Sequence, residues 1–199
     1  MKDSNQKTRR AQIEAAAYHV LADKGYKGAS MLAIAKQAGA SNQTLYRWYG
    51  TKQGLFSALV RKNSEGIANA LTLALETASD PLQSLRIVGT DLLVMLTGER
   101  AINLNRAAAF DATHSGELGQ AIADQGKSRI APLITQIFAN CVKTGALTGD
   151  PHLIADIYMR LLIGDVQIRR VINSISQLTP KQAENRATFA LDTIKNLYS

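Results

Sequence analysis

Apolar residues recur along this chain at steps of three and four rather than at every second position, which is the period of an amphipathic helix and not of a strand. Ile13, Ala16, Ala17, Val20 and Leu21 form one stripe, predicting a first helix over 8–24, with Gly25 able to end it at positive φ. Ser30 suits the cap of a short helix over 31–38, with Leu32, Ala35 and Ala38 facing inward. Gly39-Ala40-Ser41 interrupts it. A second short helix follows over 42–49, capped by Ser41, anchored by Leu45, Trp48 and Tyr49, and ended by Gly50. Thr51 then caps a longer helix carrying Leu55, Phe56, Leu59, Val60, Ile67, Leu71 and Leu75. After Ser79-Asp80-Pro81 the pattern predicts helices over 81–97, 101–112, 115–144, 150–175 and 181–198, with Gly126 and Pro132 placed to divide or kink the third. No alternating run is long enough for a strand, so the expected fold is all-α.

Charge changes this picture because it is unevenly placed. Of the net +7, residues 1–62 hold eleven lysines and arginines against three acidic residues, and the remainder holds twelve against thirteen. A basic first third joined to a neutral partner fits a nucleic-acid-binding module, but charge alone fits a solvated basic face or a membrane-surface helix equally well. Cys141 is the only cysteine, so no intrachain disulfide forms, and its neighbours Phe138 and Val142 predict a buried thiol. The start of the chain is polar and lacks the apolar run of a signal peptide. The runs Leu92–Leu96 and Leu161–Ile163 are far shorter than the ~18 apolar residues of a spanning helix. A cytoplasmic protein without membrane contact is expected. His19, His114 and His152 lack metal-ligand spacing, and neither a phosphate loop nor a nucleophile motif occurs, so no enzyme, metal or cofactor is expected.

Two short helices joined by a tight glycine-containing turn, preceded by a longer helix and set in a basic region, are the ingredients of a helix-turn-helix. Gly39 lets the chain reverse, and small Ala35 and Ala38 allow close helix approach, so the start of helix 42–49 can enter a DNA major groove. Asn42 and Gln43 carry amides able to pair with adenine edges, and Thr44 can touch a base or a thymine methyl. Tyr46, Arg47 and Lys52 can bond phosphate, and Ser30 and Ser41 add hydroxyls at helix starts, where capping is an equally good role. Lys7, Arg9 and Arg10 fit either a DNA-contacting arm or a frayed basic terminus.

The run Ala29-Ser30-Met31-Leu32-Ala33-Ile34-Ala35-Lys36-Gln37-Ala38-Gly39-Ala40-Ser41, followed by Thr44-Leu45-Tyr46-Arg47-Trp48-Tyr49-Gly50-Thr51-Lys52-Gln53-Gly54-Leu55, resembles the N-terminal signature of TetR regulators over about residues 8–60. Tyr49 departs from the usual phenylalanine, and its hydroxyl then needs a partner. Gly54 reads as a tolerated helix weakener. Arg106–Gly119, Gly145-Ala146-Leu147 and Leu162-Ile163-Gly164-Asp165 resemble the C-terminal domain of AefR-like members. The resemblance implies a three-helix DNA-binding domain over 1–52 and a helical ligand-binding and dimerisation domain over 53–199. It implies a homodimer on a palindromic double-stranded DNA operator, released as a repressor by a small-molecule effector; a ligand-requiring activator or a non-specific nucleic-acid binder is the alternative.

The stripes Leu153, Ile157, Leu161, Ile168, Ile172 and Ala183, Ala187, Ala190, Leu191, Ile194 fit either a four-helix dimer interface or the monomer core. Met95, Asn103, Arg106, Phe110, His114, Arg129, Tyr158 and Asp165 interrupt or line apolar helices, and so are the expected anchors and walls of an effector pocket. Arg106 and Asp165 could equally form a buried ion pair.

Overall fold

In this computed structural model, residues 2–77 and 80–199 are described, with side chains from Asn5 onward, and every regular element among them is helical. Helix α1 (Lys2–Gly28) begins before the apolar stripe and is broken at Gly25, whose φ is 63°. Helices α2 (Met31–Gln37) and α3 (Asn42–Tyr49) are held by the expected caps: Ser30 Oγ accepts the Ala33 N–H and Ser41 Oγ accepts the Thr44 N–H, each at 3.1 Å. Thr51 Oγ1 accepts the Gly54 N–H at 3.0 Å and starts α4 (Lys52–Thr77).

The inward face of α2 is Met31, Ile34 and Ala35; Leu32 is 66% exposed, contrary to expectation. Positions 31, 34 and 35 lie on one side of a helix, and Leu32 falls a quarter-turn away from them.

Asp80 caps α5 (Pro81–Thr97) through the Gln83 N–H, while Ser79 lies outside the described residues. Helix α6 (Glu99–Asp111) follows. The helix predicted over 115–144 is divided into α7 (Glu117–Ile122), a π turn (Ala123–Lys127) that contains Gly126, and α8 (Ser128–Lys143), which accommodates Pro132. The one predicted over 150–175 is also two, α9 (Pro151–Ile163) and α10 (Val166–Val171), separated at Gly164 with φ 49°. Helix α11 (Pro180–Tyr198) starts at a reciprocal Thr179–Gln182 capping box.

The chain packs as two units that no single cut separates: Met1–Lys62 with Asn103–Gln125, and Asn63–Ile102 with Gly126–Ser199. In the first, Ile13, Ala17, Leu21, Ile34, Leu45, Leu55, Phe56 and Leu59 share a core with Leu104, Ala107 and Leu118. Apolar positions on α4 as far as Val60 are therefore used by this unit, past the boundary at 52/53 that the sequence alone implies.

The second unit is built on α5, α8, α9 and α11, with Leu71, Leu85, Leu93, Phe138, Tyr158 and Leu162 fully buried or nearly so. Cys141 is buried there too. Ala183, Ala187, Ala190, Leu191 and Ile194 are at most 3% exposed, so the α11 stripe fills this core. Leu153, Ile168 and Ile172 are at least half exposed, Ile157 and Leu161 are half-buried, and Phe189 and Leu197 on α11 are exposed as well. Among the described residues, no helix is long and apolar enough to cross a membrane.

Candidate nucleic-acid interface

Helix α3 owes its placement to a small number of groups. Leu45 is its one fully buried side chain, and Trp48 and Tyr49 are half-buried beside it. Gln43, Tyr46 and Arg47, at i, i+3 and i+4, form an exposed row on the opposite side. An amide, a phenol and a guanidinium in one row offer base-edge and phosphate chemistry together.

The remaining predicted contacts are more constrained. Thr44 is half-buried, and its hydroxyl lies 2.8 Å from that of Ser41, which already accepts a backbone N–H. Asn42 is half-buried with Oδ1 turned inward and unpartnered. Ser30 is exposed and capping.

Lys52 is directed into its own unit. Its Nζ donates to the Tyr26 carbonyl at 2.5 Å and lies 3.9 Å from the centre of the Tyr26 ring. Burial lowers its pKa against the opposing pull of Asp111 and Glu117. Tyr26 Oη in turn donates to Glu117 Oε2 at 3.1 Å, and burial followed by Glu117 raises the phenol's pKa. Burial alone would raise the pKa of Asp111, but the Ser115 hydroxyl, the Leu118 and Ser115 backbone N–H groups and the Lys52 charge outweigh it and lower the carboxyl instead.

Lys7, Arg9 and Arg10 lie on α1, not on an extended arm. Arg9 donates through Nη1 to Gln12 Oε1 at 2.9 Å and to the Ala38 carbonyl at 3.2 Å, and through Nη2 to the Gly39 carbonyl. The Arg10 guanidinium lies 5.5 Å from the centre of the Trp48 ring. These two contacts were not legible in the sequence, because nothing in the spacing of residues 9 and 10 marks partners about thirty to forty residues away.

Residues 83–199, more than half of the chain, match the family described as AefR-like transcriptional repressor, C-terminal domain, and residues 13–59 match bacterial regulatory proteins of the tetR family. The chain belongs to the TetR family. This TetR-family regulator is 25% identical to a TetR-family transcriptional regulator from Mesorhizobium loti, with a TM-score of 0.78 over 97% of this chain and 98% of that one. The transcriptional activator FasR of Mycolicibacterium smegmatis is 36% identical over 78 residues, which are 39% of this chain and only 36% of the length of FasR. FadR from Bacillus subtilis, solved with stearoyl-CoA, shares the fold at 18% identity, with a TM-score of 0.68 over 92% of this chain and 96% of that one. The α2–α3 pair is thus the DNA-binding helix-turn-helix of a transcriptional regulator.

The predicted effector residues of the regulator fall into different settings. Met95 and Arg129 in the second unit, and Asn103 and Arg106 in the first, are half-buried. The Met95 sulfur accepts from Asn63 Nδ2 at 3.2 Å. Tyr158 is wholly buried, its hydroxyl donating to the Leu85 carbonyl at 3.0 Å. Phe110 and His114 are exposed and stacked on each other with ring centres 5.1 Å apart. Asp165 is exposed rather than buried, and its carboxylate faces Arg169 at 3.9 Å.

Proposed function

We propose that this regulator is a cytoplasmic homodimer that reads a palindromic operator through α3 and represses until a small-molecule effector, bound by its C-terminal domain, releases it. The exposed row Gln43, Tyr46 and Arg47 on a Ser41-capped helix carries the reading. Gln43 reads a base edge, with Thr44 and Asn42 at the same end, while Tyr46, Arg47 and the hydroxyls of Ser30 and Ser41 meet phosphate. Lys52 acts at the phosphate backbone only if DNA draws it from the Tyr26 carbonyl. Two copies of α3 about one turn of DNA apart match the symmetry of a palindrome.

The exposed Leu153, Ile168, Ile172 and Phe189 supply the apolar surface for pairing, and the α11 stripe does not. Repression is favoured over activation because the repressor-type C-terminal match spans more than half of the chain, whereas FasR resembles a shorter stretch. Of the effector candidates, Met95 and Arg129 are the half-buried groups of the second unit and are retained as anchors. Effector and operator must then oppose each other by equal binding free energy.

Selection of bound duplexes from a random pool at near-physiological salt tests the reading. One enriched palindrome is expected, and Gln43→Ala should change the base preferred at one position at a cost of ~1–3 kcal/mol. A pool that stays random would overturn it in favour of non-specific binding.

A further inference from the structure

We propose that Arg9 and Arg10 are positioning residues that set the angle of the recognition helix and do not themselves contact DNA. The proposal rests on the reading that α3 meets the operator. Gly39, at φ 57°, lets the Ala40 N–H reach the Ala35 carbonyl at 2.9 Å and the Gly39 N–H reach the Lys36 carbonyl at 3.2 Å, the paired bonds of a Schellman turn. That closure spends the N–H groups of the turn and leaves the Ala38 and Gly39 carbonyls pointing away from the helix end, where partial negative charge accumulates. The Arg9 guanidinium takes both carbonyls with its planar fork, a geometry that a lysine ammonium cannot reproduce.

One residue along α1, Arg10 lies against Trp48 in the last turn of α3. Neighbouring arginines thereby hold the turn that precedes α3 and the far end of α3 itself. A helix of eight residues with only Leu45 fully buried has little apolar contact to fix its direction. Two cationic contacts from a rigid helix supply what the core lacks, and they occupy the charges that a DNA-contacting arm would use.

The test uses the full-length protein with two probes, the best-enriched palindromic duplex and a scrambled duplex of the same composition, titrated across salt. Wild-type discrimination between the probes establishes operator reading on its own. Arg9→Lys, which keeps the charge, should then reduce the ratio of specific to non-specific affinity about tenfold, the scale of one charge-assisted hydrogen bond. Its salt slope should match wild type. Arg10→Gln should lower the ratio, and Arg10→Lys should restore it, since either cation can face the ring.

Amide hydrogen exchange read without DNA gives a second measure. Residues 39–49 should exchange faster in Arg9→Lys, with the α1 amides of 13–21 unchanged. A salt slope reduced by about 1 in Arg9→Gln, with discrimination intact, would make Arg9 a phosphate contact and overturn the proposal. Unaltered exchange and discrimination in Arg9→Lys would overturn it as well, whether or not the wild type selects a palindrome.

Discussion

Tyr49 carries its hydroxyl into the first unit, where the oxygen is buried and has no hydrogen-bond partner. Burial, with Glu14 nearby, pushes its pKa up to about 12, so the phenol stays protonated and its donor stays unspent. Removing an unpaired polar group costs nothing that the fold uses. Tyr49→Phe is therefore expected to be neutral or to stabilise by up to about 1 kcal/mol in urea unfolding. A loss of that size instead would show that the hydroxyl has found a partner.

Asp111 is the opposite case, a buried carboxylate whose oxygens accept from the Ser115 hydroxyl and the Leu118 N–H within the field of Lys52. Its folded pKa lies below the ordinary carboxylate value of about 3.9. The ionised group thus stabilises the fold in full above that value and loses its contribution as pH falls through the lower folded pKa. Asp111→Asn should cost about 1–2 kcal/mol near pH 7 and flatten the acid limb of stability below pH ~4. Parallel curves for variant and wild type between pH 3 and 7 would contradict this assignment.

At the scale of elements, the caps and the apolar stripes were the legible part. Ser30, Ser41 and Thr51 each do what a hydroxyl before an apolar run predicts, and the bounds of α3 agree residue for residue. Of the two breaks inside long apolar stretches, the one at Gly126 was legible, whereas the one at Gly164 was not, because Leu161 and Ile168 keep helical spacing across Gly164 while the backbone does not. The exposed row of α3 followed from Leu45 and its neighbours, whereas the inward turn of Lys52 depends on Tyr26, which no local pattern connects to it.

Gly54 shows the same limit. Its sequence context reads as a mild helix weakener, yet a methyl group there would collide with the backbone carbonyl of Tyr49 at the end of α3. Backbone cannot yield as a side chain can, so Gly54→Ala should destabilise by about 1–3 kcal/mol in thermal or chemical unfolding. An effect below 0.5 kcal/mol, the range of about an ordinary surface change, would mean that α3 and α4 separate easily at this joint.

For the whole molecule, the division of apolar positions matters most. The α11 alanines and Ile194 close the interior of the second unit, and in the proposed dimer the exposed α9–α10 residues and Phe189 are what remains to meet a second copy. A charge placed on such a surface costs pairing without disturbing the core behind it. Ile168→Asp and Phe189→Asp should weaken self-association by about tenfold or more in sedimentation equilibrium, with the melting of the isolated chain little changed. An unchanged dimer in both variants would place the pairing surface elsewhere.

The first unit borrows Leu104, Ala107 and Leu118 from a segment that follows it by some forty residues, and Tyr26 finds its acceptor in Glu117. Domains emerging from a ribosome fold as their sequences become complete. A nascent chain halted after residue 62 would hold the entire helix-turn-helix and still leave one wall of its core open to water. A fragment or chimera built by transplanting the N-terminal third alone therefore carries away an unfinished interior.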